Sequence, residues 1–199
     1  MARVSAVQRR QEFIEGAVRI IAQHGVRGAT TRRIADEVGA PLATLHYCFH
    51  TKEALFLAVF QHLSETIAGD VVDDAPVGLV TASRRWIDAV ASWLVANDEA
   101  ARAQWELYFW ALRQEESDPG LARGVYDIFL GRLRSTLRAS LLPTDEVSLV
   151  DPLSEVLVAI IDGLSLQWHG HHERERLDRG LVFACSMVDA VIDQRVATY

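Results

Sequence analysis

The stretch TTRRIADEVGAPLATLHYCFHTKE, residues 30–53, decides the fold of this chain because it carries the signals for two short helices in close succession. A first helix is expected over residues 31–38, where the apolar side chains form one stripe along a helical face. Thr30 or Thr31 can cap its N-terminus by accepting from free backbone N–H groups. Gly39 can end it, because glycine readily adopts the positive φ that follows a last helical turn.

The second short helix is expected over residues 42–48, with Pro41 in its first turn, where a missing N–H costs nothing. Its surface carries the hydroxyl groups of Thr44 and Tyr47 and the imidazole of His46. Groups of this kind meet base edges and phosphates in a DNA major groove. Two helices joined by a glycine-containing turn, with the second presenting such groups, predict a helix-turn-helix that binds DNA.

The pattern resembles the DNA-binding head of the TetR family of bacterial transcriptional regulators. The positions that carry the resemblance are Gly25, Thr31, Ile34, Ala35, Gly39, Thr44, Leu45, Phe49, Lys52, Glu53 and Leu55. The resemblance covers residues 7–63, about a third of the chain. Two residues depart from the family pattern: His46 stands where the first tyrosine of a pair is usual, and Pro41 stands where a serine cap is common. The resemblance implies an N-terminal DNA-binding head followed by a domain that binds an effector and forms a dimer.

The expected DNA contacts come from both short helices and from the start of the next one. They are Thr31, Arg32, Arg33, Thr44, His46, Tyr47 and Lys52. Lys52 is the only lysine in the chain. Its place at the start of a helix suits an ammonium group that faces one phosphate beside free backbone N–H groups.

The charge of the chain is divided between its two parts. The net charge is −7, but residues 1–55 alone carry +3 and the remainder carries −10. Affinity for phosphate depends on where cations lie, so a negative total does not argue against DNA binding. The acidic remainder instead disfavours non-specific wrapping of nucleic acid and weakly disfavours an anionic effector.

An all-α protein of about nine helices is predicted, because helical periodicity recurs along the 199 residues and strand signals are nearly absent. We expect a three-helix head at 7–67, with its reading motif at 30–49, and a helical domain at 76–199. The segment 70–78 contains the first credible break. Asp118-Pro119 and Asp151-Pro152 each resemble an N-cap followed by a first-turn proline.

No segment resembles a membrane span or a signal peptide, which leads us to expect a cytoplasmic protein without a membrane partner. The two cysteines, Cys48 and Cys185, are expected to be structural thiols, with redox sensing as the alternative. The segment 169–172 contains three histidines without the spacing of a zinc site, so a solvated helix junction is expected. We expect neither a metal nor a cofactor.

All five tryptophans lie outside the head, on helices that also carry other aromatic residues. Their helical spacing fits an ordinary core, and it also fits a cavity lined by aromatic rings for a small organic molecule. The resemblance favours the second interpretation for the group. The expected ligand-binding residues are Trp86, Trp93, Trp105, Tyr108, Phe109 and Trp168. The candidate polar anchors of the same cavity are Arg85, Gln104, Tyr126, Gln167 and His169.

The last two helices are strongly apolar on more than one face, and Gly163 is expected to permit close helix approach. One face suits the core of the subunit, and the other suits a partner. In the family, these two helices pair with their copies. We therefore expect a homodimer through the last two helices, which would bind a palindromic operator in double-stranded DNA.

The function expected from these features is that of a ligand-responsive transcriptional regulator, and more specifically a repressor that a small apolar or aromatic molecule releases from its operator. A DNA-binding activator or architectural protein without an effector is the alternative. The chain contains no nucleophile elbow, phosphate loop or dinucleotide fingerprint, and this argues against an enzyme.

Overall fold

The structure is a computed structural model that describes residues 5–68, 76–114 and 120–196. Within these ranges the regular structure is entirely helical, which confirms the predicted fold class. The helices are α1 (Ala6–Gly28), α2 (Thr31–Glu37), α3 (Leu42–Cys48), α4 (Lys52–Ala68), α5 (Leu79–Ala96), α6 (Asp98–Arg113), α7 (Leu121–Ala139), α8 (Val150–His171) and α9 (Arg174–Val196). A short 3₁₀ helix, Val147–Leu149, precedes α8.

The helices form two compact units that do not follow chain order. One unit comprises Met1–Glu65 and Asp98–Tyr126, and the other comprises Thr66–Asn97 and Asp127–Tyr199. The helix α6 therefore belongs with α1–α4, because it packs along α1. The functional division into a head at 7–67 and a second domain at 76–199 stays a prediction.

The first helix contains one break, at Gly25. This residue has a φ of 66° and a ψ of 171°, so the helix before it ends there and a further turn continues to Gly28. A residue with a Cβ is strained at such a positive φ, which explains the glycine. The break directs the chain out of α1 and into α2.

The face of α6 that is buried carries small and aliphatic residues rather than aromatic ones. Its buried side chains are Ala101, Ala103, Leu107 and Ala111. The predicted aromatic stripe lies to the side of this face, and Phe109 is 42% exposed. Alanines let the α6 backbone approach α1 closely, so the aromatic residues remain available for other contacts.

Close packing of α8 on α9 depends on a different glycine from the one predicted. A Cβ added to Gly180 on α9 would lie 2.5 Å from Cδ2 of Leu164 on α8, whereas a Cβ added to Gly163 would meet nothing within 4 Å. The expectation for Gly163 is therefore wrong within the subunit. Periodicity alone cannot tell which of several glycines lies at a helix–helix contact.

Two predicted helix starts also differ from the structure. Pro41 has a ψ of 138° and stands just before α3 rather than in its first turn. The helix α8 starts at Val150, and Asp151 lies inside its first turn instead of capping it. Asp151 forms ion pairs with Arg134 at 3.2 Å and with Arg138 at 3.0 Å. The local sequence does not reveal these contacts. The Asp118-Pro119 pair lies outside the described residues, as does most of the predicted break at 70–78.

Within the residues that the structure describes, no helix combines the length and apolar character needed to cross a membrane.

Candidate nucleic-acid interface and effector site

Short-range hydrogen bonds fix the start of α2 and the turn that joins α2 to α3. The Thr30 hydroxyl accepts from the backbone N–H of Arg33 at 3.2 Å, which confirms a threonine cap for α2. Gly39 has a φ of 64°, and its N–H donates to the carbonyl of Asp36 at 3.1 Å, ending the helix as predicted. The next N–H, that of Ala40, donates to the carbonyl of Ala35 at 3.0 Å. These bonds hold a tight turn between α2 and α3.

The short helix α3 has one buried side and one exposed side. Leu45 is buried, and so is Phe49, the residue that follows the helix. On the outside, His46 is exposed, Tyr47 is 77% exposed and Thr44 is half-buried. The phenol of Tyr47 is a large group to be exposed to water, whereas Leu45 is buried and anchors the inner side of α3. The three predicted contact residues of α3 are thus available to a partner.

The predicted contacts on α2 differ in their surroundings. Arg32 is exposed and has no hydrogen bond or ion pair to any described residue. Arg33 is also exposed, but its Nη1 donates to the carbonyl of Gly28 at 3.0 Å, at the end of α1. Thr31 is half-buried. A guanidinium has five N–H donors, so this one bond leaves Arg33 able to bind a further acceptor.

The Lys52 side chain contacts residues of α1 and α4. Its Nζ donates to the carbonyl of Val26 at 3.3 Å and lies 4.9 Å from the centre of the Phe56 ring. Burial lowers the pKa of its ammonium group, and the neighbouring Glu53 opposes this shift. The preceding Thr51 hydroxyl accepts from the N–H of Ala54 at 3.1 Å and so caps α4. Lys52 therefore ties the start of α4 to the end of α1, a contact that the sequence did not predict.

Three of the predicted effector residues form one aromatic cluster on α6. The rings of Trp105 and Phe109 are stacked with centroids 5.8 Å apart, and Tyr108 lies 6.0 Å from Phe109. Tyr126, on α7, meets Tyr108 edge to face at 4.9 Å. Tyr126 is one of the candidate polar anchors that the sequence offers for the cavity.

The other three predicted residues lie in the second unit. Trp86 and Trp93 are buried on α5, and Trp168 is half-buried on α8, with its ring 5.5 Å from that of His172. The buried Nε1–H of Trp93 has no acceptor among the described residues. A buried N–H donor without an acceptor is costly, and an acceptor atom of a ligand would relieve that cost.

The second unit also contains a groove between α5 and α9, with a volume of about 680 Å³. Arg84 on its wall donates two hydrogen bonds to Asp189, linking α5 to α9. The half-buried thiol of Cys185 lines the same groove, and burial and the nearby Asp88 raise its pKa. A raised pKa lowers the fraction of reactive thiolate, and the structural role of this cysteine stays a prediction.

Exposed apolar side chains continue along α8 and α9. On α9 they are Val182, Phe183, Met187 and Val191, and on α8 they are Val156 and Leu166. We call these six residues the apolar face. A different set of residues on α9 is buried within the subunit, including Leu181, Val188 and Ile192. Several large apolar side chains exposed on two neighbouring helices are typical of an interaction site.

Among the described residues, no group of three or more histidine, cysteine, aspartate or glutamate side chains could hold a metal ion. The histidine segment forms the end of α8, where His172 adopts a left-handed conformation with a φ of 52°. Its N–H donates to the carbonyl of Trp168 at 2.8 Å. The segment thus serves as the turn between α8 and α9.

Comparison with known protein families matches both parts of the chain. Residues 13–59 match the model for bacterial regulatory proteins of the tetR family. Residues 83–193 match the model for the C-terminal part of BetI-type transcriptional repressors. The two matches lie within the predicted segments 7–67 and 76–199.

Individual relatives are transcriptional regulators of similar length. The nicotine-responsive repressor HdnoR of Paenarthrobacter nicotinovorans is 30% identical over 168 residues, covering 83% of this chain and 86% of the relative. The regulator BetI of Agrobacterium fabrum is 30% identical over 200 residues, covering 96% and 89%. A transcriptional regulator from Rhodococcus sp. Rha1 has the same fold, with a TM-score of 0.69, 22% identity and coverage of 92% and 97%.

Proposed function

The chain belongs to the TetR family of bacterial transcriptional regulators, and from this premise we propose that it represses transcription from a palindromic operator until a small molecule releases it. Members of the family bind operator DNA and small-molecule effectors, typically as dimers, and are not enzymes. Because the operator lies in the bacterial cytoplasm, we propose that the protein acts there.

The observation that carries the proposal is the exposed polar side of α3. Thr44, His46 and Tyr47 project from a helix that is anchored from beneath by Leu45 and held next to α2 by the Gly39 turn. A short helix with a fixed orientation and exposed polar tips suits insertion into a major groove. Arg32 has no partner among the described residues, so its guanidinium can bind a phosphate of the adjacent DNA backbone.

Two further proposed DNA contacts, Arg33 and Lys52, are already held by hydrogen bonds within the protein. Arg33 and Lys52 each donate one hydrogen bond to the end of α1 and retain further donors. Their cationic groups are therefore held in place before DNA arrives, so binding a phosphate restricts few additional rotamers. Thr31, at the start of α2, is the last proposed contact.

We assign dimer formation to the apolar face of α8 and α9. Water-exposed side chains such as Phe183 and Met187 are unfavourable unless a partner covers them. A second copy related by a two-fold axis would cover both faces at once. It would also place two copies of α3 about one DNA turn, or a multiple of it, apart on a palindrome.

The proposed effector is an aromatic or apolar molecule that is neutral or cationic. In the first unit, the aromatic rings of α6 offer stacking surfaces. In the second unit, and independently of them, Trp93 offers a buried N–H to an acceptor atom. The acidic part of the chain disfavours an anion. The relative HdnoR is named as responsive to nicotine, an aromatic base, which agrees with this class.

Release requires that the effector bind more tightly to a conformation that does not fit the operator, since equal binding to both conformations shifts nothing. The test is to select sequences bound by the protein from random DNA duplexes and then add aromatic amines to the complex. A recovered palindrome that an amine displaces supports the proposal. Recovery of a palindrome with no displacement by a broad panel favours a regulator without an effector, and failure to select any sequence contradicts DNA recognition.

Lys52→Ala is expected to weaken binding to all DNA sequences alike, because a phosphate contact carries no sequence information. The slope of log affinity against log salt concentration should fall by about 0.9 per subunit. Loss of the bond to Val26 should also lower the free energy of unfolding by about 1 kcal/mol. Salt titrations and urea unfolding measure the two effects separately, and an unchanged slope would remove Lys52 from the phosphate contacts.

Thr44→Ala is expected to relax discrimination between bases while leaving the salt slope unchanged. The hydroxyl lies on the polar side of α3, where it can donate to or accept from a base edge. Affinities for the selected operator and for single-base variants of it measure the change, with about 1 kcal/mol of discrimination lost at one position. A uniform loss over all variants would instead assign Thr44 to positioning the head.

A further inference from the structure

Arg10 on α1 contacts the end of α3 in two ways. Its Nη1 donates to the backbone carbonyl of Cys48, the last residue of α3, at 2.9 Å. Its guanidinium carbon lies 4.1 Å from the centre of the Phe49 ring, in cation–π geometry. One exposed side chain thus contacts both the final carbonyl of α3 and the buried aromatic residue that follows the helix.

The two ends of α3 are secured differently. At its start, Pro41 offers no side chain that could accept a hydrogen bond from the first turn. At its end, the carbonyl of Cys48 accepts a hydrogen bond from Arg10, whose positive charge complements the negative end of the helix dipole. A helix of seven residues is too short to be stable alone, so contacts of this kind determine its orientation.

We propose that Arg10 is a positioning residue for the DNA-reading helix: it fixes the C-terminal end of α3 and thereby aims Thr44, His46 and Tyr47 without touching DNA. The inference rests on the proposed role of α3 in reading an operator. It assigns to Arg10 a function that its sequence position does not reveal, since α1 lies outside the helix-turn-helix and the contact joins residues 38 positions apart.

The test compares Arg10→Met with Arg9→Met. Both changes remove one positive charge from neighbouring positions of α1, but Arg9 pairs with Glu12 of the same helix at 2.7 Å. The operator selected by the wild-type protein and an unrelated duplex of equal length serve as the two probes. We expect Arg10→Met to lower operator affinity about tenfold with an unchanged salt slope and little change for the unrelated duplex, whereas Arg9→Met changes operator affinity much less.

Amide hydrogen exchange provides a second readout that needs no DNA. In Arg10→Met, the amides of 45–49 should exchange faster, while those of the buried part of α4 keep the wild-type rate. Arg10→Lys retains the charge and a donor but loses the planar stack on Phe49, and it should recover part of the operator affinity.

Three results would overturn the inference. A salt slope reduced by about 0.9 per subunit would make Arg10 a phosphate contact. Equal operator affinity in Arg10→Met and wild type would remove it from the reading of DNA. Faster exchange throughout the head would assign it to general stability. If the wild-type protein selects no sequence at all, the proposed function fails instead, and the hydrogen-exchange comparison still decides whether Arg10 orders α3.

Discussion

Replacing Phe183 with aspartate is expected to produce monomers and to lower the affinity for a palindromic operator by about a hundredfold. Phe183 is 72% exposed, the largest side chain in the apolar face. In a two-fold interface a single substitution occurs twice, so two carboxylates would lose water while two aromatic contacts disappear. Each DNA-binding head would then bind its half-site alone, without the gain that linkage to the second head provides.

Val147→Asp is the matched control for this change. Val147 is also an exposed apolar residue, but it lies in the 3₁₀ helix before α8 and outside the apolar face. Sedimentation measures the mass of each variant, and titrations with a full palindrome and with one half-site measure DNA binding. Phe183→Asp should retain half-site affinity. A variant that remains dimeric would place the subunit interface elsewhere.

Phe56→Ala is expected to lower the free energy of unfolding by about 3–5 kcal/mol. The Phe56 side chain is fully buried on α4, and the Trp110 ring of α6 meets it edge to face with centroids 5.0 Å apart and planes at 89°. The Lys52 ammonium lies against the same ring. Removing the ring therefore leaves a cavity and also removes one aromatic and one cationic contact.

Urea unfolding at a single protein concentration measures the loss, since the stability of a dimer varies with concentration. Leu57→Ala, at the half-buried neighbouring position on α4, is the control and should cost less. A double-mutant cycle with Trp110→Ala should give a coupling of about 0.5–1.5 kcal/mol. A loss below about 1 kcal/mol for Phe56→Ala would show that the surrounding core closes over the cavity.

The features predicted correctly from the sequence are those determined by neighbouring residues. The bounds of α3 follow from local periodicity and turn residues, and Thr30 and Gly39 act through hydrogen bonds that span three positions. The same local signals led to the family resemblance. Such contacts depend on spacing along the chain, so a sequence displays them directly.

The contacts that the sequence did not reveal join distant positions. Arg10 reaches Cys48, Lys52 reaches Val26, and Asp151 pairs with arginines of α7 instead of capping α8. A cation near a helix can serve a phosphate, a carbonyl or a carboxylate, and its sequence position does not distinguish them. Gly163 and Gly180 illustrate the same limit, because they have similar surroundings in sequence but opposite packing.

The position of Lys52 has a practical consequence for binding assays. It is the only side-chain amine in the chain. It lies directly after the helix-turn-helix, and its Nζ donates a hydrogen bond to the carbonyl of Val26. Among side chains, amine-reactive dyes and amine-coupled sensor surfaces would therefore modify only Lys52, and acylation would remove the positive charge of this proposed DNA contact. Attachment through carboxylates, which are concentrated after residue 55, leaves the head free to meet its operator.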